Sequence, residues 1–404
     1  MTIDNDRRSV RPGEANRPAV ERDDDGVWRL RSTEAVRQVL RERDATTQAG
    51  FASETIPEKA MKRRPILFMD GEPHRQQRSM TARYFAPKTV STKYRDLMET
   101  FADELVAEAT ASDTFRLDQL SLRYSVEVAA QVIGLTDSPI RPMSRRLERF
   151  FDQPSFDATQ ADGGRNRFEK LRAVITGNLP MATFYLFDVR PAIRARKAEA
   201  QEDVISHLID QGYTDREILI ECVTYGAAGM VTTREFISMA TWHLLDDDAL
   251  RARYLAGEER ERYLILHEIL RLEPIVGHLY RRATRPLEVT DAGQTHTIAA
   301  GELIDLFVRQ ANADERTVGD APLALRPGRD LPRGIGEEVM SFGDGPHKCP
   351  GNSLAIQETD MLLTRLLPLG LTVVREPDLG WDELIAGYSL RDFVLRTGTP
   401  TPAP

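Results

Sequence analysis

A lone cysteine in a glycine-rich loop, directly before a predicted helix, constrains the fold of this chain more than any other feature. The loop reads SFGDGPHKCPG and runs from Ser341 to Gly351; we call it the cysteine loop. Its glycines, at 343, 345 and 351, permit positive φ and let a flat ligand lie against the main chain. Free amide N–H groups and the helix dipole stabilise a thiolate near a helix N-terminus, which makes Cys349 a candidate ligand of iron. The alternative is that Cys349 fills space in the core, as lone cysteines usually do.

The order Phe-Gly-x-Gly-x-His-x-Cys-x-Gly resembles the haem-thiolate loop of the cytochrome P450 family, and it fixes six positions in a run of ten. The resemblance implies that Cys349 is the axial ligand of haem b. It also implies that His347, or its neighbour Lys348, faces a haem propionate or a redox partner. Thiolate ligation favours O–O bond cleavage, so the expected chemistry is an oxidation with O₂. The other residues of the loop expected at the cofactor are Phe342, Gly343 and Gly351.

A predicted helix after Asp70 carries His74 and Arg78 four residues apart on one face, with Pro73 in its first turn. The family has His and Arg at this spacing, where they donate to a haem propionate. A solvated basic helix face is the alternative, but a carboxylate buried beside a porphyrin needs charged donors. By the same resemblance Arg281 is a propionate ligand on a later strand, or Arg282 if the register slips by one.

From Thr214 to Leu245 the pattern predicts one long helix of roughly 45 Å. Glycines inside a helix cost stability, so Gly226 and Gly229 need a reason, and small residues let a wide ligand approach the backbone. A helix crossing with small residues at the contact is the structural alternative. The stretch resembles the distal helix of the family, in which Ala-Gly-x-acid-Thr passes over the haem.

In this chain Ala228, Gly229 and Thr232 match that motif, but Val231 stands at the acidic position. The resemblance therefore implies that Thr232 is the catalytic alcohol, without its usual carboxylate neighbour. Glu235, three residues further along the helix, is the candidate substitute as a proton donor.

Structural and substrate-contacting residues are also implied by the resemblance. Glu268 and Arg271 match the Glu-x-x-Arg helix, and Arg326 would complete a buried triad that fixes the fold.

The turn between the terminal strands usually lines the substrate pocket, together with the distal helix. The candidates are Val231, Ile385, Ala386, Gly387 and Tyr388. Phenylalanines at 150, 151 and 156 and the Phe-Tyr-Leu-Phe cluster at 184–187 lie where a mobile lid is expected. The alternative is that they belong to the core.

The expected fold class is mainly α with small β-sheets (α+β), that is, a cytochrome P450 fold with a long distal helix and a proximal cysteine loop. Hydrophobic residues make up 41% of the 404 positions, enough for a core, and no segment has the composition of a linker. We expect one domain over residues 26–398 with loose ends at 1–25 and 399–404. The strand near 27–30 and the helix at 34–40 match the start of the family fold, but the usual helix before them is hard to find. Residues 287–308 predict a small antiparallel sheet.

Two cysteines give no disulfide framework, and no apolar run suits a signal peptide or a membrane span. A cytoplasmic, soluble protein of the bacterial type is therefore expected, and we expect it to be a monomer. The net charge of −9 argues against nucleic acid as a partner.

The resulting hypothesis is a haem-thiolate monooxygenase acting on a small or medium hydrophobic substrate, such as an intermediate of natural-product tailoring. No flavin-binding region follows the cysteine loop, so electrons are expected from a ferredoxin and its reductase. A basic patch of Arg75, Arg83 and Lys348 would suit an acidic donor. Two alternatives remain: a haem-thiolate enzyme of atypical chemistry (coupling, isomerisation or peroxide-driven oxidation), and a protein in which haem is inert or absent.

Overall fold

The computed structural model describes residues 5–10, 17–50, 63–151, 179–382 and 387–398. Helices dominate this part of the chain, and the strands are short, so the predicted fold class is confirmed. The helices are α1 (Thr33–Arg41), α2 (Gly71–Phe85), α3 (Pro87–Lys93), α4 (Arg95–Thr110), α5 (Leu117–Ile133), α6 (Ile140–Phe151), α7 (Arg190–Ala198), α8 (Val204–Asp210), α9 (Asp215–Gly226), α10 (Thr232–Asp246), α11 (Asp248–Ala256), α12 (Glu259–Leu272), α13 (Val308–Ala311), α14 (Glu315–Val318) and α15 (Asn352–Leu366).

The predicted long helix is present as α9 and α10, joined without a break by a π-helical turn at Ala227–Val231. A second π-helical turn, Tyr185–Val189, leads into α7. Helix α10 packs against α5, which is buried on nearly every side, and the Ser125 hydroxyl of α5 donates to the Met230 carbonyl at 2.8 Å. The long helix therefore crosses the middle of the larger hydrophobic core.

The strands form four small sheets. They are β1 (Val20–Arg22), β2 (Trp28–Leu30), β3 (Thr46–Ala49), β4 (Thr114–Arg116), β5 (His278–Ala283), β6 (Leu287–Asp291), β7 (Gln294–Ile298), β8 (Leu303–Phe307), β9 (Thr372–Arg375), β10 (Asp378–Asp382), β11 (Gly387–Arg391) and β12 (Val394–Arg396). The largest has the order β1-β2-β8-β5-β3, with only the β2/β8 pair parallel, and a second core packs against it.

The prediction of one antiparallel sheet over 287–308 was wrong in its pairing. Strands β6 and β7 form a separate hairpin, whereas β8 leaves it to pair with β2 and β5. The burial of β8 explains this, because four of its five residues are buried and need partners on both edges.

Helix α1 shows how local sequence sets the start of the fold. The Ser32 hydroxyl caps it by accepting a hydrogen bond from Ala35 N–H at 3.2 Å. Its apolar residues at 35, 36, 39 and 40 are buried, as their helical spacing predicts. The opposite face donates to the cysteine loop, since Arg37 Nε and Arg41 Nε lie 2.9 and 2.8 Å from Asp344 Oδ2.

The described parts of the N-terminal segment are not loose, contrary to the prediction for residues 1–25. Ser9 is completely buried, and β1 pairs with β2. Composition predicted a loose segment here because it counts apolar side chains, whereas hydrogen bonds and ion pairs hold the segment.

Residues 399–404 and the lid candidate Phe156 lie outside the described residues, as do the side chains of Phe150 and Phe151. Among the described helices, none is long and apolar enough to cross a membrane.

Candidate active site

Cys349 sits at the end of a loop whose backbone turns back on itself. Its N–H donates to the Phe342 carbonyl at 2.8 Å. Burial raises the pKa of its thiol, and the Gly351 N–H, Arg78 and Lys348 oppose this rise. The sequence argument expected the amide groups and the helix dipole to favour the thiolate, but in the protein alone burial outweighs them. The residue nevertheless keeps accessible surface, so it borders a cavity.

Two of the three loop glycines have positive φ, Gly343 at +68° and Gly345 at +67°. A Cβ on Gly345 would lie 2.2 Å from the Leu40 carbonyl oxygen, so this glycine serves the contact with α1 and not the ligand. Gly351 has an ordinary φ of −85°, contrary to the prediction. A Cβ there would lie 3.9 Å from Cys349 Sγ, so glycine leaves that side of the sulfur open.

His74 and His347 stack with ring centroids 4.1 Å apart and an interplanar angle of 17°. His347 Nε2 lies 3.3 Å from Asp70 Oδ1, the carboxylate of the residue that precedes α2. Burial, with help from His347 and Arg78, lowers the pKa of His74 to about 4. His74 is thus a buried neutral ring, and burial also lowers the pKa of the partly buried His347. The Lys348 ammonium instead pairs with Glu338 at 3.1 Å.

Two guanidinium groups converge on the same region. Arg78, on α2, donates to the Lys348 carbonyl, and burial lowers its pKa while the nearby Cys349 and Tyr225 side chains oppose the change. Arg281, on β5, is buried, and its pKa is lowered to about 10 by burial. Arg282 points the other way, to the Gly301 carbonyl. Strand alternation therefore selects Arg281 over Arg282.

The long helix approaches this cluster near its π-helical turn, since Tyr225, three residues before Ala228, interacts with Arg78. Ala228 is exposed and Thr232 keeps accessible surface, although their neighbours Met230 and Val231 are buried. The Thr232 hydroxyl donates to the Ala228 carbonyl. A π-helical turn of this kind is frequent at functional sites, and here it gives Ala228 and Thr232 an open side. Val231, proposed as a substrate contact, has little open surface.

The glycines of this helix lie beside neighbouring helices, but packing does not require them. A Cβ on Gly229 would meet the Ala129 Cβ of α5 at 3.5 Å, and one on Gly226 would meet Met230 Sδ of the same helix at 3.5 Å and Leu147 Cδ2 of α6 at 3.7 Å, which are ordinary van der Waals contacts. Neither glycine therefore explains the open side, which belongs to Ala228.

Glu235 is not placed as a proton donor, contrary to the prediction. Its carboxylate is fully buried and accepts hydrogen bonds from Leu390 N–H and Arg391 Nη1, both at 2.7 Å, and from Arg234 Nε at 3.0 Å. Glu235 therefore fastens α10 to β11.

Tyr388 is also not a pocket residue. It is fully buried, and its hydroxyl donates to the Glu273 carbonyl at 3.2 Å. Gly387 beside it is buried, and Ile385 and Ala386 lie outside the described residues. In the other predicted substrate region Phe184 belongs to the core, whereas Leu186 and Phe187 are exposed.

The buried triad exists, but Arg329 and not the side chain of Arg326 completes it. Glu268 lies 2.7 Å from Arg271 Nε and 2.8 Å from Arg329 Nε, whereas Arg326 supplies only its N–H, at 2.9 Å. Gly328, with φ of +85°, turns the chain so that the next arginine points back to Glu268. The sequence signal for this was the Pro-Gly pair between the two arginines.

A buried carboxyl group on the helix after Cys349 was not predicted. Glu358, on α15, is 3% exposed, hydrogen bonds with Thr233 of α10, and has a pKa raised by burial to about 8. It is therefore protonated at neutral pH. The only sequence signal was an acidic residue amid apolar helix positions.

The arrangement fits a haem. Arg281 has no carboxylate within ion-pair distance among the described residues, and a buried guanidinium without an anion is costly, so an anionic cofactor group would compensate it. Arg78 and the His74/His347 pair lie in the same cluster, and Cys349 borders the cavity. These donors suit the propionates and the iron of one cofactor.

Several known proteins are similar to this chain in sequence and in fold. The profile of the family described as cytochrome P450 matches residues 264–368, which include the Glu268 helix and the cysteine loop. Cytochrome P450(BM-1) of Priestia megaterium is 22% identical over 87% of this chain and 83% of its own length. The erythromycin C-12 hydroxylase of Saccharopolyspora erythraea is 26% identical over 85% of this chain and 81% of its own length. A solved structure of a P450 EryK mutant in complex with erythromycin B superposes with a TM-score of 0.76 at 23% identity, covering 96% of this chain and 94% of that one.

Proposed function

The chain belongs to the cytochrome P450 family, and from that membership we propose that it inserts one oxygen atom from O₂ into a hydrophobic substrate of small or medium size. Its cofactor is haem b, and its enzyme class is that of the P450 monooxygenases. The similarity to a hydroxylase of erythromycin supports a substrate from natural-product biosynthesis. The observation that carries the proposal is the cluster of Arg78, Arg281 and the stacked His74 and His347 beside Cys349.

In this proposal the residues of the cysteine loop, of α2 and β5, and of the long helix have different roles. Cys349 holds the iron, while Arg78 and Arg281 hold the propionates beside the stacked His74 and His347. The bound haem supplies the activation of O₂ and the oxidation of the substrate. Ala228 leaves room for the substrate and O₂, and the Thr232 hydroxyl, held by the Ala228 carbonyl, orients a proton at Oγ1.

Protons need a source other than position 231, because valine has none to give and the Glu235 carboxylate is occupied by hydrogen bonds from Arg234, Arg391 and the Leu390 N–H. Glu358 is the neutral carboxyl group in contact with the turn that follows Thr232, through its hydrogen bond with Thr233. We assign it the role of holding a proton at the base of α10. Thr232 would then pass protons between that side and the cavity, with ordered water in between.

Electron delivery is proposed to occur at the outer face of α2, opposite the face that carries His74 and Arg78. Arg75, Met80 and Arg83 are exposed there. Arg75 is paired with Glu72 at 2.6 Å and Lys348 with Glu338 at 3.1 Å, so Arg83 is the cation of this patch without a carboxylate partner among the described residues. An exposed arginine and an exposed apolar side chain on one helix of an acidic protein suit an acidic ferredoxin.

A second candidate function is favoured by one observation, the absence of an acid at position 231. A haem-thiolate enzyme that couples, isomerises or uses peroxide has less need of two delivered protons. Product analysis under ¹⁸O₂ separates the two functions, because only a monooxygenase places a labelled atom in its product.

The central claim is tested by replacing Cys349 with serine. The reduced carbon monoxide adduct of the wild type should show the red-shifted band of the family, and Cys349→Ser should lose it, because a hydroxyl cannot supply a soft thiolate to iron. Far-ultraviolet circular dichroism should show that the helices remain. A red-shifted band retained in Cys349→Ser would overturn the assignment of the ligand.

The substrate class is a separate question. A spin-shift titration of the wild type with terpenoids, macrolides, aromatics and peptides would define it.

A further inference from the structure

Residues 6–9 cross the surface behind the cysteine loop and end in a buried socket; we call them the N-terminal strap. Asp6 N–H donates to the Leu323 carbonyl at 3.0 Å, and Leu325 N–H donates to Asp6 Oδ2 at 2.8 Å. Arg7 donates to the Leu272 carbonyl at 2.9 Å and to the Arg309 carbonyl at 3.1 Å. The strap thus bridges the end of α12, the short helix α13 and the loop at 323–325.

The socket is built around the Ser9 hydroxyl. This hydroxyl donates to the Glu273 carboxylate and accepts a hydrogen bond from Arg309 Nη1 at 2.8 Å. Ser9, Glu273 and Arg309 are at most 1% exposed. Arg309 also donates to the Ser9 carbonyl, and the N–H groups of Arg8 and Ser9 donate to Glu273. The Ser9 hydroxyl therefore lies between Glu273 and Arg309 and hydrogen bonds to both of these buried, oppositely charged side chains.

Asn312 connects the elements around the socket to the cysteine loop. Asn312, which follows α13, accepts from Met340 N–H at 2.8 Å and donates to the Ser341 hydroxyl at 2.8 Å and to the Arg271 carbonyl at 3.0 Å. The Ser341 hydroxyl in turn donates to the Leu270 carbonyl at 2.8 Å. The start of the cysteine loop is therefore held by the ends of α12 and α13, the two elements that the strap joins.

We infer that the N-terminal strap is a positioning element for the cysteine loop, acting through Ser9 on α12 and α13 and from there through Asn312 on Ser341. The strap touches neither the cavity nor Cys349 in the described contacts. We expect the strap to affect how well the loop is ordered, because loss of the Ser9 hydroxyl removes one hydrogen bond from each of the buried charged groups Glu273 and Arg309 and would shift the elements that carry Asn312 and Leu270. This inference goes beyond the proposed function, which does not involve the N-terminus.

The test compares Ser9→Ala with Val10→Ala in the full chain. Val10 is the next residue and is 58% exposed, so its truncation leaves the socket intact. In the haem-free chain, amide hydrogen exchange over residues 338–349 should accelerate about tenfold in Ser9→Ala and not in Val10→Ala. Exchange in α4 should be unchanged. Unchanged exchange over 338–349 in Ser9→Ala would overturn the inference.

The second readout uses the chain with haem and rests on the proposed function. The fraction of the reduced carbon monoxide adduct with the red-shifted band should fall in Ser9→Ala, and haem transfer to apomyoglobin should become several-fold faster, both measured well below the unfolding temperature. If only the unfolding temperature falls, the strap stabilises the fold without positioning the loop, and the inference is wrong. If the wild type itself lacks the band, the proposed function fails, while the exchange experiment still decides the inference.

A milder variant covers the case in which Ser9→Ala does not fold. Arg7→Ala removes the donors to Leu272 and Arg309 at the same two elements but leaves the Ser9 socket in place. It should accelerate exchange over 338–349 by a smaller factor. Exchange equal to that of Val10→Ala would contradict the proposed route.

Discussion

Glu273, behind the cysteine loop, and Glu221, on the long helix, are both buried carboxyl groups, yet their pKa values shift in opposite directions. Glu273 accepts hydrogen bonds from the strap and lies 3.3 Å from His243 Nε2, and these partners hold its pKa below the usual value despite burial. Glu221 accepts only the Ile66 N–H, at 3.0 Å, and burial raises its pKa to about 8. Its other oxygen is buried without a partner among the described residues.

The same contrast extends to the surroundings of each group. On the loop side every donor of Arg329 is used, and Asn312 hydrogen bonds to both Arg271 and Ser341. On the helix side the Ser238 hydroxyl is another buried polar atom with no partner in the described part of the chain. Buried polar groups without protein partners indicate sites for internal water. The network around Glu268 and Ser341 is therefore built to hold one geometry, whereas the long helix leaves room for water; on the loop side such atoms occur at Arg8, His267 and Gln310, outside that network.

If the loop side is structural, breaking it should give the largest loss of stability. Arg329→Ala should lower the free energy of unfolding by about 3–5 kcal/mol, because it removes one partner of a buried ion pair. It also removes hydrogen bonds to four carbonyl groups, of which those of Val318 and Asp320 have no other donor among the described contacts. Urea unfolding followed by circular dichroism measures this.

Arg326→Ala is the matched control, since Arg326 contributes its N–H and alanine keeps that group. Its free energy of unfolding should stay within about 0.5 kcal/mol of the wild type. Equal losses in the two variants would show that the triad is not built around Arg329.

These two arginines also show what the sequence could and could not predict. The cysteine loop, the long helix and the Glu268/Arg271 pair were predictable because each depends on local spacing. The partner choice of Arg329 depends on a turn at Gly328, and the occupation of Glu235 depends on Arg391, which is distant in sequence. Tertiary hydrogen bonds of this kind leave no periodic signal, and for the same reason the docked strap was predicted to be loose.

The helix side should show the reverse behaviour, a loss of function with little loss of stability. Thr232→Ala removes a hydroxyl whose protein contact is the carbonyl of its own helix. The unfolding midpoint should therefore change little. Product formed per NADPH consumed should fall, with peroxide released instead, since proton delivery typically contributes about 10²-fold or more.

Thr233→Val provides the comparison for Thr232→Ala, because Thr233 is the neighbouring hydroxyl and faces Glu358 instead of the cavity. It should affect coupling less than Thr232→Ala. Equal coupling in the wild type and Thr232→Ala would remove this hydroxyl from proton delivery and favour the atypical chemistry.

Glu358 offers the finest test of the contrast, through the pH dependence of stability. The folded protein keeps the Glu358 proton up to about pH 8, whereas an ordinary glutamate, with a pKa of 4.5, loses it much earlier. Between these values the folded state binds more protons than the unfolded state, so the free energy of unfolding decreases as pH rises. Glu358→Gln removes this dependence. The stability of the wild type relative to Glu358→Gln should thus decrease by about 1.4 kcal/mol per pH unit between pH 6 and 7 and level off above pH 8. Glu104→Gln, at an exposed position of α4, should follow the wild type throughout. A difference between wild type and Glu358→Gln that does not vary with pH would mean that Glu358 is ionised in the folded protein, and the helix side would then lack its proposed proton store.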